Sequence, residues 1–490
     1  MAIDVQNFRS VFESEDFHSP SSQHPSQGRK YLMLFLFCFA EFMDSFIGSA
    51  LYPAINVLET DLKVGPAEVT WSFAAYSATF AAFLLISGRV SDVYSAKWTF
   101  IAGAILIGAF SLGAGFVHDK VIFFVLRALA GVGAAMTVPS ALSLIVQWFP
   151  GGDEQARGIA LFGGSGALGN VLGVIIGGAF VQWANWRWIL WFIAIVGFLI
   201  AAISAVTVPP SPNRRVQPSL KRLDPGGVTM ITAALVLFVY AATSGSTKGW
   251  GNPGVLAPLV VSVVMGLLFF VYEAAIDPSV AALPPYVWGY KNVPILIGLA
   301  LLPLFWWAAL FFQLMPLMQE TYHWSPIMTS VHFLPTGICS MAIANFVPTL
   351  VRVASPKWAV MIGLGMELAA SVLLPFADTP QRYYSFLIPA MIIGTIGTTI
   401  VFSGSNIALF MNTPPEMAGV VGGMFNSALQ LGLAIGLAVV ASITTSVNHS
   451  QHSPSSSPSS YYAGIAAGYW FVLGTVGLMT ILVLVFYKPE

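Results

Sequence analysis

Charge is what this chain has least of. Asp, Glu, Lys and Arg together make up 8% of its 490 residues, against 57% that are apolar, where a soluble protein carries about 25% charge. That shortage excludes an ordinary water-soluble domain, and a net charge of −1 offers no basic face for nucleic acid. Cysteine is nearly absent too. Cys38 and Cys339 both fall inside apolar runs, so no disulfide framework is implied. No G-x-x-x-x-G-K-[ST] loop for nucleotide phosphates occurs, which disfavours ATP-driven work. No cleavable signal-peptide pattern opens the chain, and residues 1–30, polar and rich in Ser, Gln and Pro, read as a disordered tail. No metal or cofactor motif is present. His118-Asp119 is an isolated pair and not a catalytic cluster, so the chain does not read as an enzyme.

What is abundant is long apolar runs. A hydrocarbon core of ~30 Å needs about 20 apolar residues per crossing helix. Fourteen such spans are predicted, at roughly 31–53, 68–88, 98–117, 120–145, 157–181, 187–208, 226–244, 254–275, 293–316, 325–351, 358–376, 384–411, 416–446 and 464–487. The expected fold class is an all-α integral membrane protein. An even number of spans puts both termini on one side. Fourteen basic residues, among them Arg29, Lys30, Arg89, Lys97, Arg214, Arg215, Lys221, Arg222 and Lys357, fall on that side and five on the other. By the positive-inside rule the termini are cytoplasmic. The sequon Asn448-His449-Ser450 then lies in an outer loop, 447–463, where Asn448 is a candidate for glycosylation.

The 209–225 connection, with Pro209, Pro210, Pro212, Pro218 and a basic cluster, reads as a cytoplasmic linker between an N-terminal half (31–208) and the rest. Arg89-Val90-Ser91 followed by Lys97-Trp98 is echoed by Arg352-Val353-Ala354 followed by Lys357-Trp358. The echo aligns the second span with the tenth if 226–275 is an inserted pair and 293–487 a second six-helix half. Internal repeats are a common building plan of transporters.

Ionisable residues inside spans are costly, ~2.5–3.5 kcal/mol each on insertion scales, and mark function by default. Glu41 and Asp44 share one face of the first span. At 1.5 Å per residue Asp44 lies ~13 Å from the outer end of its helix, and Arg127 ~10 Å into the fourth span, so the two can meet. Asp44 is then either a titratable proton carrier or half of a fixed ion pair. Glu367 is a second buried acid, inert or part of the pathway. His332, Asn345, Asn406, Asn426 and Gln430 read as interhelical hydrogen-bond formers. Phe305, Trp306 and Trp307 line either an aromatic cavity or a lipid-facing belt. Gly169, Gly173 and Gly177, at four-residue spacing, with Gly178 beside them, allow close helix packing.

These residues carry a resemblance to the major facilitator superfamily, and within it to the fourteen-span drug:proton antiporter branch, of fungal type. Gly88 to Lys97 resembles its G-x-L-A-D-R-x-G-R-K loop, with Gly88, Asp92 and Lys97 matching. Arg127 to Ala135 is similar to R-x-x-Q-G-x-G-A-A. Gly169 to Gly178 is similar to G-x-x-x-G-P-x-x-G-G, with Val174 in place of the proline. Asp44 with Pro53 resembles the first-span signature, and Asn185-Trp186-Arg187-Trp188 the opening of the sixth span. The resemblance implies two six-helix halves plus two inserted spans, a cytoplasmic gate at Gly88, Asp92 and Lys97, and proton coupling through Arg127. The expected function is proton-coupled export of small amphipathic molecules, drugs or toxins by alternating access. The alternative is an uptake symporter or facilitator for a small metabolite or ion. The expected partners are substrate, protons and the lipid bilayer, and the expected state is a monomer in the plasma membrane, with the vacuolar membrane as the other candidate.

Overall fold

The computed structural model describes residues 26–66, 68–149, 152–209, 224–276, 281, 283, 285–414, 417–450 and 458–488. The described residues form helices and turns and no strand, which is what a bilayer requires of a chain that must satisfy its backbone internally. The long helices are α1 (Gln27–Ser49), α2 (Trp71–Val90), α3 (Ala96–Phe116), α4 (Lys120–Trp148), α5 (Gly152–Trp183), α6 (Arg187–Thr207), α7 (Pro225–Lys248) and α8 (Pro253–Ala275). They continue with α9 (Val293–Leu299 and Leu301–Pro316), α10 (Pro326–His332 and Leu334–Ala344), α11 (Val347–Leu373), α12 (Ile388–Met411), α13 (Ala418–Ser450) and α14 (Pro458–Phe486). Thirteen stretches among the described residues are long and apolar enough to cross a membrane. α2, a 20-residue helix, takes the place of the second expected span.

Helix boundaries follow local chemistry more than hydropathy. The Asp224 side chain accepts from Gly227 N at 3.0 Å and Pro225 follows it at the first helical position, a start signal for α7. The helix then runs four residues past 244, where the seventh span was expected to end, and stops where Gly249 takes φ 83°. α1 begins before the expected span, at Gln27, capped by the Ser26 side chain. α13 likewise reaches Ser450, so Asn448 sits in the last turns of a helix and not in a loop. Within Val347–Leu373 the helix is broken at Ser355, φ 63° and ψ 156°, just before Pro356. Proline disfavours helical backbone in the residue before it. Residues 347–354 therefore extend the tenth span, and 356–373 form the eleventh. The expected tail before residue 26, the linker at 210–223 and the loop at 451–457 lie outside the described residues.

Three contacts occur twice. α5 packs on α1 where Gly169, Gly173 and Gly177 sit against the backbone of Phe42, Phe46 and Ala50, and α13 packs on α9 where Gly432 and Gly436 sit against Leu301 and Phe305. A Cβ on Gly103 of α3 would stand 2.7 Å from Gly133 O of α4, and one on Gly363 of α11 would stand 2.8 Å from Gly397 O of α12. Finally, Lys97 Nζ donates to Ala205 O (2.9 Å) at the end of α6, while Lys357 Nζ donates to Leu484 O (3.0 Å) and Tyr487 O (2.8 Å) at the end of α14. Cations are favoured at such helix C-termini. α7 lies across both sets: Thr232 Oγ1 donates to Ala82 O (3.0 Å), and Trp250, just after it, donates to Ser442 Oγ (2.9 Å).

Candidate functional site

α1, α2 and α4 meet around three side chains. Gly131 of α4 lies directly against the Tyr76 carbonyl and Thr79 of α2, where any Cβ would overlap them. Thr79 Oγ1 donates to Ala128 O at 2.6 Å and pins the crossing. One turn before Gly131, Arg127 is carried across α2. Its Nε donates to Ser72 O at 2.9 Å, and its guanidinium carbon lies 4.9 Å from the Tyr76 ring centroid, within cation–π range. From the far edge of the same ring the Tyr76 hydroxyl donates to Asp44 Oδ1.

Asp44 and Arg127 are 8% and 1% exposed. No ion pair joins them among the described residues. Helix depth brings the two to one level, as expected, but the tight α2–α4 crossing interposes Tyr76 as the link. Sequence reasoning passed over Tyr76. Its signal is a phenol inside an apolar span, which a buried hydroxyl needs a partner to justify. Arg127 Nη1 and Nη2 and Glu41 Oε2 are buried with no hydrogen-bond partner. Glu41 lies beside Gly166 of α5, where a Cβ would stand 2.9 Å from its Oε1. Buried polar atoms are nearly always paired in native proteins, so these three orphan atoms single out the Asp44–Glu41–Arg127 cluster as the candidate site.

Glu367 stands apart. It is 0% exposed, accepts from Thr398 Oγ1 at 3.2 Å and lies beside the α11–α12 crossing at Gly397. No hydrogen bond or ion pair joins it to Asp44, Glu41 or Arg127 among the described residues. At the expected gate, a Cβ on Gly88 would stand a relaxed 3.8 Å from Pro139, and Ser91–Ser95 forms a π-helical turn. The Asp92 side chain lies outside the described residues. Gly178, unlike its three neighbours, faces Ser330 and Pro326 of α10.

The aromatic trio of α9 is not a lipid belt. Trp306 is buried against Gly394 and donates to Ser371 Oγ at 3.2 Å. Trp307 stacks on Phe311 (5.1 Å), which stacks on Phe333 (4.7 Å) and on Tyr52 (5.2 Å), and Tyr52 stacks on Phe73 (4.6 Å). This ladder joins the turn after α1 and the first turn of α2 to α9 and α10. Beside it Gln319 Nε2 donates to Pro53 O (3.1 Å) and Asn56 Nδ2 donates to Gln319 Oε1 (3.4 Å). Pro53, in the Tyr52–Ala54 turn that follows α1, thus offers its carbonyl to the opposite helix set. At the other end of α5 and α10, Ile159, Leu161, Met341 and Phe346 are exposed.

A multi-helix membrane bundle with buried acids and an arginine between its first, second and fourth spans has the construction of a transporter. Comparison with known proteins agrees. Residues 37–437 match the family model for the Major Facilitator Superfamily, and the chain belongs to that family of membrane transporters, which are not enzymes. It is 26% identical over 458 residues to the major facilitator superfamily multidrug transporter mfsC of Aspergillus fumigatus, covering 91% of this chain and 85% of that protein. It is 29% identical over 391 residues to the puromycin resistance protein pur8 of Streptomyces alboniger, covering 79% and 76%. A low affinity ammonium transporter of Saccharomyces cerevisiae is 26% identical over 401 residues, covering 80% and 77%. Among solved structures, the human organic anion transporter MFSD10 superposes with a TM-score of 0.60 at 15% identity, covering 94% of this chain and all of that one. That likeness speaks for the fold.

Proposed function

We propose that this transporter exports small amphipathic molecules, drugs or toxins against inward proton flow, by alternating access of two six-helix halves, 31–208 and 293–487. The inserted pair 226–275 and the 209–225 linker connect them. The observation that carries the coupling is the Asp44–Tyr76–Arg127 chain, with its orphaned guanidinium nitrogens and the unpaired Glu41 beside it. A carboxyl that exchanges a proton changes the charge facing Arg127 through the Tyr76 ring, and a change of charge in low dielectric shifts helix packing. The doubled glycine crossings and doubled lysine caps support the two-half division. The aromatic ladder and the Gln319 bonds hold together the end that the charge rule places outside, which supports reading this as an outward-closed state. Gly88, Asp92 and Lys97 form the gate on that side. Both termini are cytoplasmic, and the plasma membrane is the proposed location.

The drug-resistance names of the fungal and bacterial relatives favour export. Uptake of a small cation is the second reading, suggested by the name of the yeast relative. Purified protein in liposomes with an imposed pH gradient tests both. Export predicts that puromycin or a fluorescent drug moves against the gradient, and that Asp44→Asn abolishes the gradient dependence. Drug flux indifferent to pH rules out proton coupling, and methylammonium flux without drug flux favours the uptake reading.

A further inference from the structure

Outside the aromatic ladder lies a cavity of ≈ 290 Å³, at the small end of the ~300–1,000 Å³ range of ligand pockets. Its walls come from both helix sets. Ile55 and Glu59 stand on the short Ile55–Asp61 helix that follows α1, while Phe312, Gln313, Glu320, Thr444, Asn448 and Ile465 come from α9, its outer extension, α13 and α14. Neither Glu59 nor Glu320 joins an ion pair among the described residues. Gln313 is 4% exposed, and its Oε1 accepts from Thr444 Oγ1 at 3.0 Å. Its Nε2 is buried without a hydrogen-bond partner. This is an unspent donor in a side chain lining a cavity that also holds two carboxylates and an apolar wall. None of these features serves the Asp44 site.

The chemistry of the lining selects the ligand. Two carboxylates attract a cation. The amide nitrogen needs an acceptor such as a hydroxyl or carbonyl oxygen, and Phe312, Ile55 and Ile465 take up hydrocarbon. A metal ion fits less well, because no group of three or more His, Cys, Asp or Glu side chains that could hold one occurs among the described residues. Because Glu59 and Gln313 belong to opposite helix sets, parting the outer ends would divide the cavity. A ligand that binds one conformation in preference to another shifts the population toward it.

We propose that this cavity is a second binding site, for an amphipathic organic cation bearing a hydrogen-bond acceptor, and that a ligand bound there from outside holds the outer gate shut. The gating part rests on the alternating-access reading, and the binding part does not. An external cation of this class therefore acts as an inhibitor of the transport cycle.

The test uses the purified full chain and benzyl(2-hydroxyethyl)dimethylammonium as probe. Calorimetric titration is expected to show binding that weakens at least tenfold in the Glu59→Gln/Glu320→Gln double variant and is unchanged in Asp44→Asn. Gln313→Leu is expected to weaken the hydroxyl probe but not benzyltrimethylammonium, which has no acceptor. Glu320→Gln alone, at an exposed position, guards against misfolding and is expected to show a partial loss. In parallel, spin labels on Thr60→Cys and His323→Cys, with Cys38→Ala and Cys339→Ala, report the outer gap, which the probe is expected to hold in its short-distance state. No binding, binding indifferent to both glutamates, or binding lost in Asp44→Asn overturns the site. Binding that leaves the share of the long-distance state undiminished overturns the gating role. Loss of pH dependence in flux with binding intact would count against proton coupling alone.

Discussion

Tyr76→Phe removes one hydroxyl and leaves the ring under Arg127 in place. The lost bond is the one to Asp44, and a hydrogen bond to a charged group is worth about 1.5–3 kcal/mol. One pH unit corresponds to 1.36 kcal/mol of difference between protonation states, so the midpoint of any process gated by this carboxyl moves by about one to two units. The sign follows from the acceptor. The phenol stabilises the ionised carboxylate, so without it the proton is held more readily and the midpoint rises. The measurement is initial drug flux into or out of liposomes against pH, with wild type, Tyr76→Phe and Asp44→Asn side by side. An unchanged midpoint in Tyr76→Phe, while Asp44→Asn abolishes coupling, refutes the role given to Tyr76. A fall in the midpoint refutes the sign of the reasoning.

Three further outcomes follow from packing. Gly173→Ala drives a Cβ into Ser49 and the Phe46 backbone, at a cost of about 1–3 kcal/mol for overpacking, whereas Gly163→Ala meets nothing within 4 Å and gains helix propensity. Thermal melts in detergent should rank them in that order, and equal melting temperatures would sink the α1–α5 contact. Gln319→Leu loses both bonds to the turn after α1, about 1–3 kcal/mol net, so under the proposed cycle the outward-open to closed ratio should rise about five- to 160-fold in the Thr60/His323 label distances. Glu367→Gln keeps an acceptor for Thr398 and should leave the pH dependence of flux unchanged, while Glu367→Ala lowers the melting temperature. Altered coupling in Glu367→Gln would return Glu367 to the proton pathway.

Much of the fold was legible before any coordinates, because lipid leaves a chain few options. Each apolar run of about 20 residues must be a helix, and the charges that remain must sit at helix ends or face a partner. Composition and spacing therefore placed Glu41, Asp44, Arg127 and Glu367 inside the membrane and the glycine stripe on one face of α5. Boundaries were less legible where capping and proline geometry decide them, as at Gly249 and Ser355.

What a linear pattern cannot carry is which helix each face meets. Depth along two helices allowed Asp44 and Arg127 to touch, but Gly131 brings α4 so close to α2 that Tyr76 stands as their link. Glu367 shares the buried character of Asp44 and not its neighbours. Gln313, Gln319 and Asn56 are ordinary amides in sequence, and only the approach of α9 to the turn after α1 bonds two of them together and leaves the third lining a cavity. The sequence alone determined that this chain lives in lipid, where its apolar spans fall and which few charges are buried. Tertiary structure decided which of those charges lie together, because proximity depends on contacts between residues far apart in the chain.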